Sequence, residues 1–219
     1  GEALASLEAM GARFDAAWGV AVPPKRGWNL TGMFHGMERR ELTALYVIGE
    51  NPASSEADVG RARKLLGNLD TLIVQDLFMT KTATMADVLL PASNAALESD
   101  GTVTNSERRV QRVRKVLEPP RNAKDDIWII AQLAKRLGFD WGEVTPRAAW
   151  DELRLISPMH AGMTYERLED LGGIQWPCWD EDHEGTLFLH ARLWEDDLDE
   201  RGPKARFSET PFEPPVDEL

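Results

Sequence analysis

The chain has 219 residues, 42% hydrophobic and 28% charged, which is a globular composition and excludes a disordered chain. It carries 25 Lys and Arg against 37 Asp and Glu, and the formal net charge of -12 argues against a partner that is nucleic acid. The longest apolar runs, at 45–48 and 72–74, are far shorter than the roughly 18 residues that span a bilayer, so no membrane segment is expected. One cysteine, Cys178, cannot form an internal disulfide or hold an iron–sulfur cluster, and it favours a reducing, cytoplasmic setting.

Residues 1–43 are predicted to form a helix followed by a loop. Apolar residues recur at spacings of three and four, which predicts an amphipathic helix over 3–18. The segment 19–36 is dense in Pro and Gly and is expected to be a connecting loop. We expect His35, within it, to be a surface side chain. The chain begins Gly1-Glu2 with no signal-peptide pattern, and we expect a fragment of a longer protein.

Residues 44–142 are predicted to form an α/β segment. The predicted elements are a strand at 44–50, a helix that Ser54-Ser55-Glu56 caps and Gly67 ends, a strand at 72–74, a short helix at 81–87 and a strand at 88–90. The first two strands are continuous apolar runs, which is typical of strands buried on both faces. A strand, a helix and a strand in this order predict a βαβ unit with parallel strands and a right-handed crossover.

A β-containing excursion is expected at about 92–120. A turn at 101–105 leads into 108–117, where charge alternates with Val and Leu as in a strand with one solvated face. Four arginines lie in this run: Arg108, Arg109, Arg112 and Arg114. A phosphate channel, a solvated strand face and an ion network between subunits all account for them, and the acidic chain disfavours nucleic acid as the ligand.

The remaining residues, 143–219, are predicted to be a helical, Trp-rich segment with an acidic tail. Before it, Asp125 or Asp126 caps a helix that Gly138 ends, and Thr145-Pro146 begins the next helix. The first helix is expected to bury Ile127, Ile130, Leu133, Ala134 and Leu137; the second carries Trp150 and Leu153. From residue 180 an extended, partly disordered tail is expected. Cys178 is predicted to be a packed small hydrophobe, and Trp176 and Trp179 to pack against another part of a larger protein.

Familiar catalytic and metal-binding motifs are absent from the sequence, so no catalytic or metal-ligating residue is predicted. Polar residues instead follow two strands, as Gly49-Glu50-Asn51-Pro52 and as Gln75-Asp76. Ligands of open α/β sheets bind at the carboxyl ends of the strands. The Asn51 amide donates and accepts, and an ionised Asp76 suits two adjacent N–H donors such as those of guanine. A plain turn and a helix cap explain the same residues, so a nucleotide site and a structural role both stay open.

Several segments, in order, carry a resemblance to one family. They are YVIGENP (46–52), IVQDLFMTKTATMADVLLPAS (73–93), ESDGTVTNSERRVQR (98–112) and DDIWIIAQLAKRLGF (125–139). These segments resemble the molybdopterin oxidoreductases of the dimethyl sulfoxide reductase superfamily. Three more, WDELRLISP (150–158), TYERLEDLGGIQWPC (164–178) and FSETPFEPP (207–215), look like the catalytic subunits of formate dehydrogenases.

The resemblance implies a central fragment of a subunit that holds molybdenum or tungsten between two molybdopterin guanine dinucleotides and oxidises formate to carbon dioxide. The implied fold is α/β: a partial open parallel sheet with flanking helices, one half of a discontinuous dinucleotide-binding domain. Carried over by motif, the family's dinucleotide contacts fall on Asn51, Gln75, Asp76 and Asp126. Ser99 stands where the family often has a lysine, and Thr80 and Thr82 are expected near the pterin edge.

The family's cysteine motif for a [4Fe-4S] cluster, its metal-ligating cysteine or selenocysteine and its active-site His and Arg have no counterpart here, so the cluster is expected only outside this chain. The implied partners are the rest of the catalytic subunit and electron-transfer subunits. Two alternatives remain: another superfamily member such as a nitrate reductase, and a free-standing α/β binding or assembly module. A sheet with open edges and an unmatched apolar face is expected to be marginally stable in isolation.

Overall fold

The computed structural model describes residues 7–21, 27–189 and 209–211. Within them the chain forms seven α-helices and six β-strands, the strands in two three-stranded sheets. In chain order the elements are α1 (Leu7–Trp18), α2 (Leu30–Glu38), β1 (Ala44–Ile48), α3 (Pro52–Ser55), α4 (Val59–Leu66), β2 (Thr71–Asp76), β3 (Val88–Pro91), β4 (Gly101–Thr104), β5 (Arg109–Val113), α5 (Asp126–Arg136), α6 (Pro146–Ile156), α7 (Tyr165–Asp170) and β6 (Ile174–Gln175). Short 3-10 turns occupy Ala83–Met85 and Pro158–His160.

The first sheet is parallel, in the order β1-β2-β3, which confirms the α/β prediction and the parallel pairing. Ile48 pairs with Gln75, and Asp76 pairs with Pro91, so the carboxyl ends of the three strands lie at one edge. The prediction that the first strand is buried on both faces is wrong. β1 pairs with β2 alone among the described residues, and of its five residues only Val47 is buried.

One face of the parallel sheet carries a hydrophobic core. Val47, Leu72 and Val74 point to this face and pack against residues of the adjoining helices and turn, which are Ala53, Leu66 and Ala83. Alternation along the strands puts Tyr46, Ile48, Ile73 and Gln75 on the opposite face. That face is only partly covered, because Ile48 is 42% exposed and Val88, which pairs with Ile73, is 45% exposed.

The crossover between β1 and β2 begins later than the sequence predicts. Ser54 and Ser55 lie in the single turn of α3 instead of capping the longer helix. The cap is Asp58, whose side chain accepts a hydrogen bond from the Arg61 N–H at 2.8 Å. The chain is extended at Glu56, which separates α3 from α4, and Gly67 ends α4 as predicted.

The prediction of a loop throughout 19–36 is wrong, because α2 begins at Leu30. The Asn29 side chain caps this helix by accepting a hydrogen bond from the Gly32 N–H at 2.8 Å. Gly36 gives the indole of Trp28 room to lie against the helix: a Cβ there would come within 2.5 Å of Trp28 Cζ3. Gly36 therefore allows close packing of Trp28 on the helix, although a glycine at this position suggests a loop when only the local sequence is considered.

The sequence of α2 contains two glycines, which disfavour a helix, and packing against α4 stabilises it. Phe34 and Met37 are buried against Ala62 and Leu65. The His35 side chain is 51% exposed, and its Nδ1 lies 3.2 Å from Glu38 Oε2 and 3.3 Å from Arg61 Nη2 of α4. His35 is therefore a surface side chain, as predicted.

The second sheet is antiparallel, in the order β4-β5-β6, and packs on a separate core. This core consists of Val110, Trp150, Met163, Tyr165, Leu168, Ile174 and Cys178. Cys178 is fully buried, which confirms the prediction of a packed small hydrophobe. Trp176 packs against this same core, contrary to the expectation that it contacts another part of the protein, whereas Trp179 is 51% exposed.

The arginines of β5 and its flanks bond to other residues of the described chain, Arg108 and Arg109 to backbone carbonyls and Arg112 and Arg114 to carboxylates. Arg108 donates to the backbone carbonyls of Trp176, Thr186 and Leu187. Arg112 pairs with Asp100 at 2.9 Å and with Glu169 at 3.3 Å, and Arg114 also pairs with Glu169. These bonds connect the sheet to α7 and to the segment that follows β6.

The two longer helices near the second sheet begin where the sequence predicts. The Asp125 side chain accepts from the Trp128 N–H at 2.8 Å, and the Thr145 hydroxyl accepts from the Ala148 N–H at 3.1 Å. The predicted apolar face of α5 is partly wrong: Ile129 and Ala134 are buried, and the side chains of Ile130 and Leu137 are 40% and 76% exposed.

Two sequence predictions concern the C-terminal region and membrane segments. Most of the predicted acidic tail, 190–208 and 212–219, lies outside the described residues. Among the residues that are described, no helix has the length and apolarity needed to cross a membrane.

Candidate cofactor-binding site

Polar residues gather at the carboxyl edge of the parallel sheet, where the strand order predicts a ligand site. Gln75 and Asp76 end β2, and Gly49, directly after β1, has a φ of 64° that favours glycine. Nothing in the described chain lies within 4 Å of a Cβ placed on Gly49, so its backbone is open at this edge.

Asn51 and Thr82 join the loops that follow β1 and β2. Asn51 Oδ1 accepts hydrogen bonds from the Thr82 N–H at 3.1 Å and from the Thr82 hydroxyl at 2.9 Å. Thr82 Oγ1 in turn accepts from the Ala53 N–H at 3.0 Å and is fully buried. The nearby Thr80 hydroxyl accepts from the Ala83 N–H at 3.1 Å. The oxygen of the Asn51 amide is thus engaged inside the protein, and its nitrogen has no hydrogen-bond acceptor among the residues that the structure describes.

A Thr82→Val substitution tests how strongly this cluster holds the two loops. Valine keeps the shape of threonine but leaves the Ala53 N–H without its acceptor and removes one of the two donors to the Asn51 oxygen, which costs about 1–2 kcal/mol. We expect that loss in the free energy of unfolding, measured by urea titration. Thr84→Val, at an exposed hydroxyl bonded to the Lys81 carbonyl, serves as the control and should change it by less than about 0.5 kcal/mol. Equal losses in the two variants would contradict a locking role for Thr82.

A second cluster joins Gln75 to the start of α5. Gln75 is fully buried, its Oε1 accepts from the Tyr46 hydroxyl, and its Nε2 donates to Asp126 Oδ1. Asp126 is half-buried and is the first residue of α5. Burial, and then the charge of Asp126, raise the pKa of Tyr46, so its hydroxyl stays protonated as a donor.

Asp76 stands at the end of β2, where the chain turns outward. Its Oδ1 accepts from the Phe78 N–H at 2.9 Å, and the side chain is half-buried. The next three residues, Leu77, Phe78 and Met79, have exposed apolar side chains. This edge of the sheet therefore combines a carboxylate with apolar surface, a pairing that suits an aromatic heterocycle with N–H groups.

A cleft of about 880 Å³ lies between the second sheet, α5 and α6, and Ser99 and Asp126 both line it. The Ser99 hydroxyl is 2.8 Å from that of Ser93. Five carboxylates line the cleft, those of Glu98, Asp100, Asp125, Asp126 and Glu143, together with one basic side chain, Lys115. Acceptors predominate, so the cleft favours a ligand rich in N–H and O–H donors over a phosphate.

The structure brings six of the seven predicted cofactor residues into two groups. Ser99 and Asp126 share the cleft, and Gln75 reaches Asp126 from the sheet. Asp76 follows Gln75 in β2, so its side chain projects from the opposite face, where it accepts from the Phe78 N–H. Asn51, Thr80 and Thr82 form the neighbouring loop cluster. Sequence reasoning missed Tyr46. Its place in β1, on the face of the sheet that also carries Gln75 of β2, is the signal that could have found it.

The chain belongs to the molybdopterin oxidoreductase family, whose family model matches residues 10–136. It is 43% identical over 181 residues to the alpha subunit of an F420-dependent formate dehydrogenase of Methanocaldococcus jannaschii, covering 81% of this chain and 26% of that protein. A provisionally named formate dehydrogenase of Staphylococcus aureus is 41% identical over 181 residues, covering 82% of this chain and 18% of that protein.

Among solved structures, the chain is similar to acetylene hydratase from Pelobacter acetylenicus. The TM-score is 0.52 and the sequence identity 25%, over 78% of this chain and 24% of that one. The chain thus spans about a quarter or less of the length of the proteins it matches.

Proposed function

We propose that this chain is the dinucleotide-binding segment of a formate dehydrogenase-like catalytic subunit and contacts one molybdopterin guanine dinucleotide. One observation carries the proposal: Asp126 lies beside a cleft of about 880 Å³ with one carboxylate oxygen held by Gln75. Its other oxygen has no hydrogen-bond donor within the described part of the chain. The formate dehydrogenase relatives, at 41% and 43% identity, support this reaction class over that of a nitrate reductase.

The residues fit the guanosine end of such a cofactor. Guanine presents adjacent N–H donors, which match the free oxygen of Asp126, and ribose hydroxyls match the Ser99 hydroxyl and further carboxylates. The cleft has the volume of a site for a ligand of nucleotide size. Five carboxylates against one lysine disfavour the diphosphate there, so the guanine and ribose are the part of the cofactor that the cleft would take.

When bound, the cofactor supplies metal-centred two-electron chemistry, with molybdenum or tungsten as the metal and formate as the substrate. The residues of this chain bind and orient. Asp126 and Asp76 accept from guanine N–H groups, the Asn51 amide nitrogen donates, and Thr82 keeps the loop after β2 in place. Under this proposal the iron–sulfur cluster, the electron-transfer subunits and the remainder of the catalytic subunit lie outside this chain, and the assembly is cytoplasmic.

Asp126→Asn tests the proposal. The amide oxygen of asparagine can still accept from Gln75, but an NH2 donor replaces the oxygen that faces the cleft. We expect cofactor content to fall about tenfold, since a hydrogen bond to a charged group contributes about 1.5–3 kcal/mol. Asp76→Asn should lower it in the same direction. The measurement is the amount of metal and of released guanine nucleotide per polypeptide. It is made on the full-length protein.

The exposed Asp182→Asn is the matched control and should leave cofactor content unchanged. Turnover per bound cofactor should stay close to that of the unsubstituted protein in all three variants, because these residues bind the cofactor and leave the chemistry to the metal. A variant at position 126 with full cofactor and lost turnover would contradict the proposal.

A further inference from the structure

Tyr46 takes part in a hydrogen-bond chain that ends at the cleft. Its hydroxyl donates to Gln75 Oε1, and Gln75 Nε2 donates to Asp126 Oδ1. Tyr46 pairs in register with Ile73, two residues before Gln75, so both polar side chains project from the same face of the sheet. The chain of bonds thus runs from an edge strand to the first residue of α5.

Gln75 is placed to act through Asp126. It is fully buried, and both ends of its amide are engaged within the protein. A primary amide can turn by about 180° with little change in shape, which exchanges its oxygen and nitrogen. The Asp126 carboxylate only accepts and so requires the nitrogen end, and the Tyr46 hydroxyl donates to the oxygen end; the two neighbours together hold the amide in one orientation.

We propose that Tyr46 is a positioning residue of the dinucleotide site, fixing the Gln75 amide so that Asp126 offers its free oxygen to the ligand. The proposal rests on the proposed function. Without the hydroxyl, the buried Gln75 oxygen loses the donor that it has in the described chain, and the amide can rotate away from Asp126 toward another partner. Asp126 then leaves the orientation in which one oxygen is held and the other faces the cleft.

Tyr46→Phe removes the hydroxyl alone, and the chain supplies its own matched control. It has two tyrosines, and the other hydroxyl, that of Tyr165, is buried with no hydrogen-bond partner. We expect Tyr46→Phe to lower the metal and guanine nucleotide retained per polypeptide about fivefold after a fixed dialysis, the effect of one lost hydrogen bond. Tyr165→Phe should retain as much as the unsubstituted protein. The full-length protein is used throughout.

A double-mutant cycle with Gln75→Met shows whether Tyr46 acts through Gln75. Gln75→Met should lower retention at least as far as Tyr46→Phe does, and adding Tyr46→Phe to it should cause no further loss. If Gln75→Met does not fold, judged by its urea midpoint, Gln75→Glu takes its place. Glutamate still accepts from Tyr46 but gives Asp126 no donor, so Tyr46→Phe should again add nothing.

The outcomes separate the two proposals. Full retention in Tyr46→Phe with reduced retention in Asp126→Asn overturns the role of Tyr46 and leaves the proposed function standing. An additional fivefold loss when Tyr46→Phe is combined with Gln75→Met also overturns it, since the hydroxyl would then act without the amide. Full retention in Asp126→Asn overturns the proposed function itself.

Discussion

Gly162→Ala is expected to destabilise the protein by about 3 kcal/mol or more, because no space exists for a single added carbon. A Cβ at this position would lie 1.8 Å from the Asp180 carbonyl oxygen, 2.4 Å from its carbonyl carbon and 2.7 Å from Cys178 Sγ. The nearest obstacle is backbone, which cannot rotate away as a long side chain can. The Gly162 N–H also donates to the Cys178 carbonyl at 2.9 Å, which holds the two segments together.

The measurement is the free energy of unfolding from urea titration, followed by tryptophan fluorescence. Gly60→Ala in α4 is the control, because the nearest atom to its Cβ, Asp58 Oδ1, is 3.6 Å away. Alanine favours a helix over glycine, so this variant should be about 0.5–1 kcal/mol more stable. Comparable losses in both variants would show that the close contact between Gly162 and Asp180 does not govern stability.

Arg112→Met is expected to cost about 3 kcal/mol of folding free energy. The Arg112 side chain is 10% exposed and pairs with Asp100 at 2.9 Å and with Glu169 at 3.3 Å. Its guanidinium also lies 3.5 Å from the centre of the Tyr165 ring. Methionine keeps the length of the stem but loses both ion pairs and the cation–π contact, all made by a guanidinium that is itself shielded from water while its carboxylate partners are partly exposed.

Arg114→Met provides the comparison, since Arg114 shares Glu169 with Arg112 but is 66% exposed. An exposed pair contributes little, and we expect a loss below about 0.5 kcal/mol. Urea titrations at low and at high salt distinguish the two cases further, because salt screens the exposed pair more than the enclosed one. If the two variants lose equal stability, burial is not the source of the Arg112 contribution.

The partly covered face of the parallel sheet is consistent with a chain that spans 26% and 18% of the length of two formate dehydrogenase relatives. Ile48 and Val88 are exposed on that face, and Leu77, Phe78 and Met79 are exposed beside it. Gln75 and Asp76, two of the residues proposed to contact the dinucleotide, lie at the carboxyl edge of the same sheet. Under the proposed function, the cofactor and this apolar surface are therefore neighbours.

Local chemistry made several elements predictable from sequence. Short runs rich in β-branched residues identified the three parallel strands, and Asp125 and Thr145 identified two helix starts. In each case the residues that predict the element lie within a few positions of the residues that form it. The motifs that carry the family resemblance also indicate Gln75 and Asp126 as site residues, and the structure joins these two side chains by a hydrogen bond.

Contacts between distant segments decided the rest. The glycines of 19–36 indicated a loop, and α2 forms there because Trp28 packs on Gly36 and because α4 covers its apolar face. Likewise the apolar sequence of β1 predicts a fully buried strand. Its burial depends on which strands and helices pack against it, and the composition of the strand does not reveal these. The intrinsic preference of a residue for helix or strand contributes less free energy than the burial of a helix face or pairing with a neighbouring strand.

The amino-acid sequence alone indicates the family, the order of strands and helices along the α/β region, and which polar residues follow the strands. It takes the three-dimensional fold to show that Tyr46, Gln75 and Asp126 form one hydrogen-bonded chain, and that Ser99 and Asp126 line one cleft. The reason is that hydrogen bonds between side chains far apart in sequence depend on strand register and helix placement. Both are set by packing of the whole chain, and no local pattern encodes them.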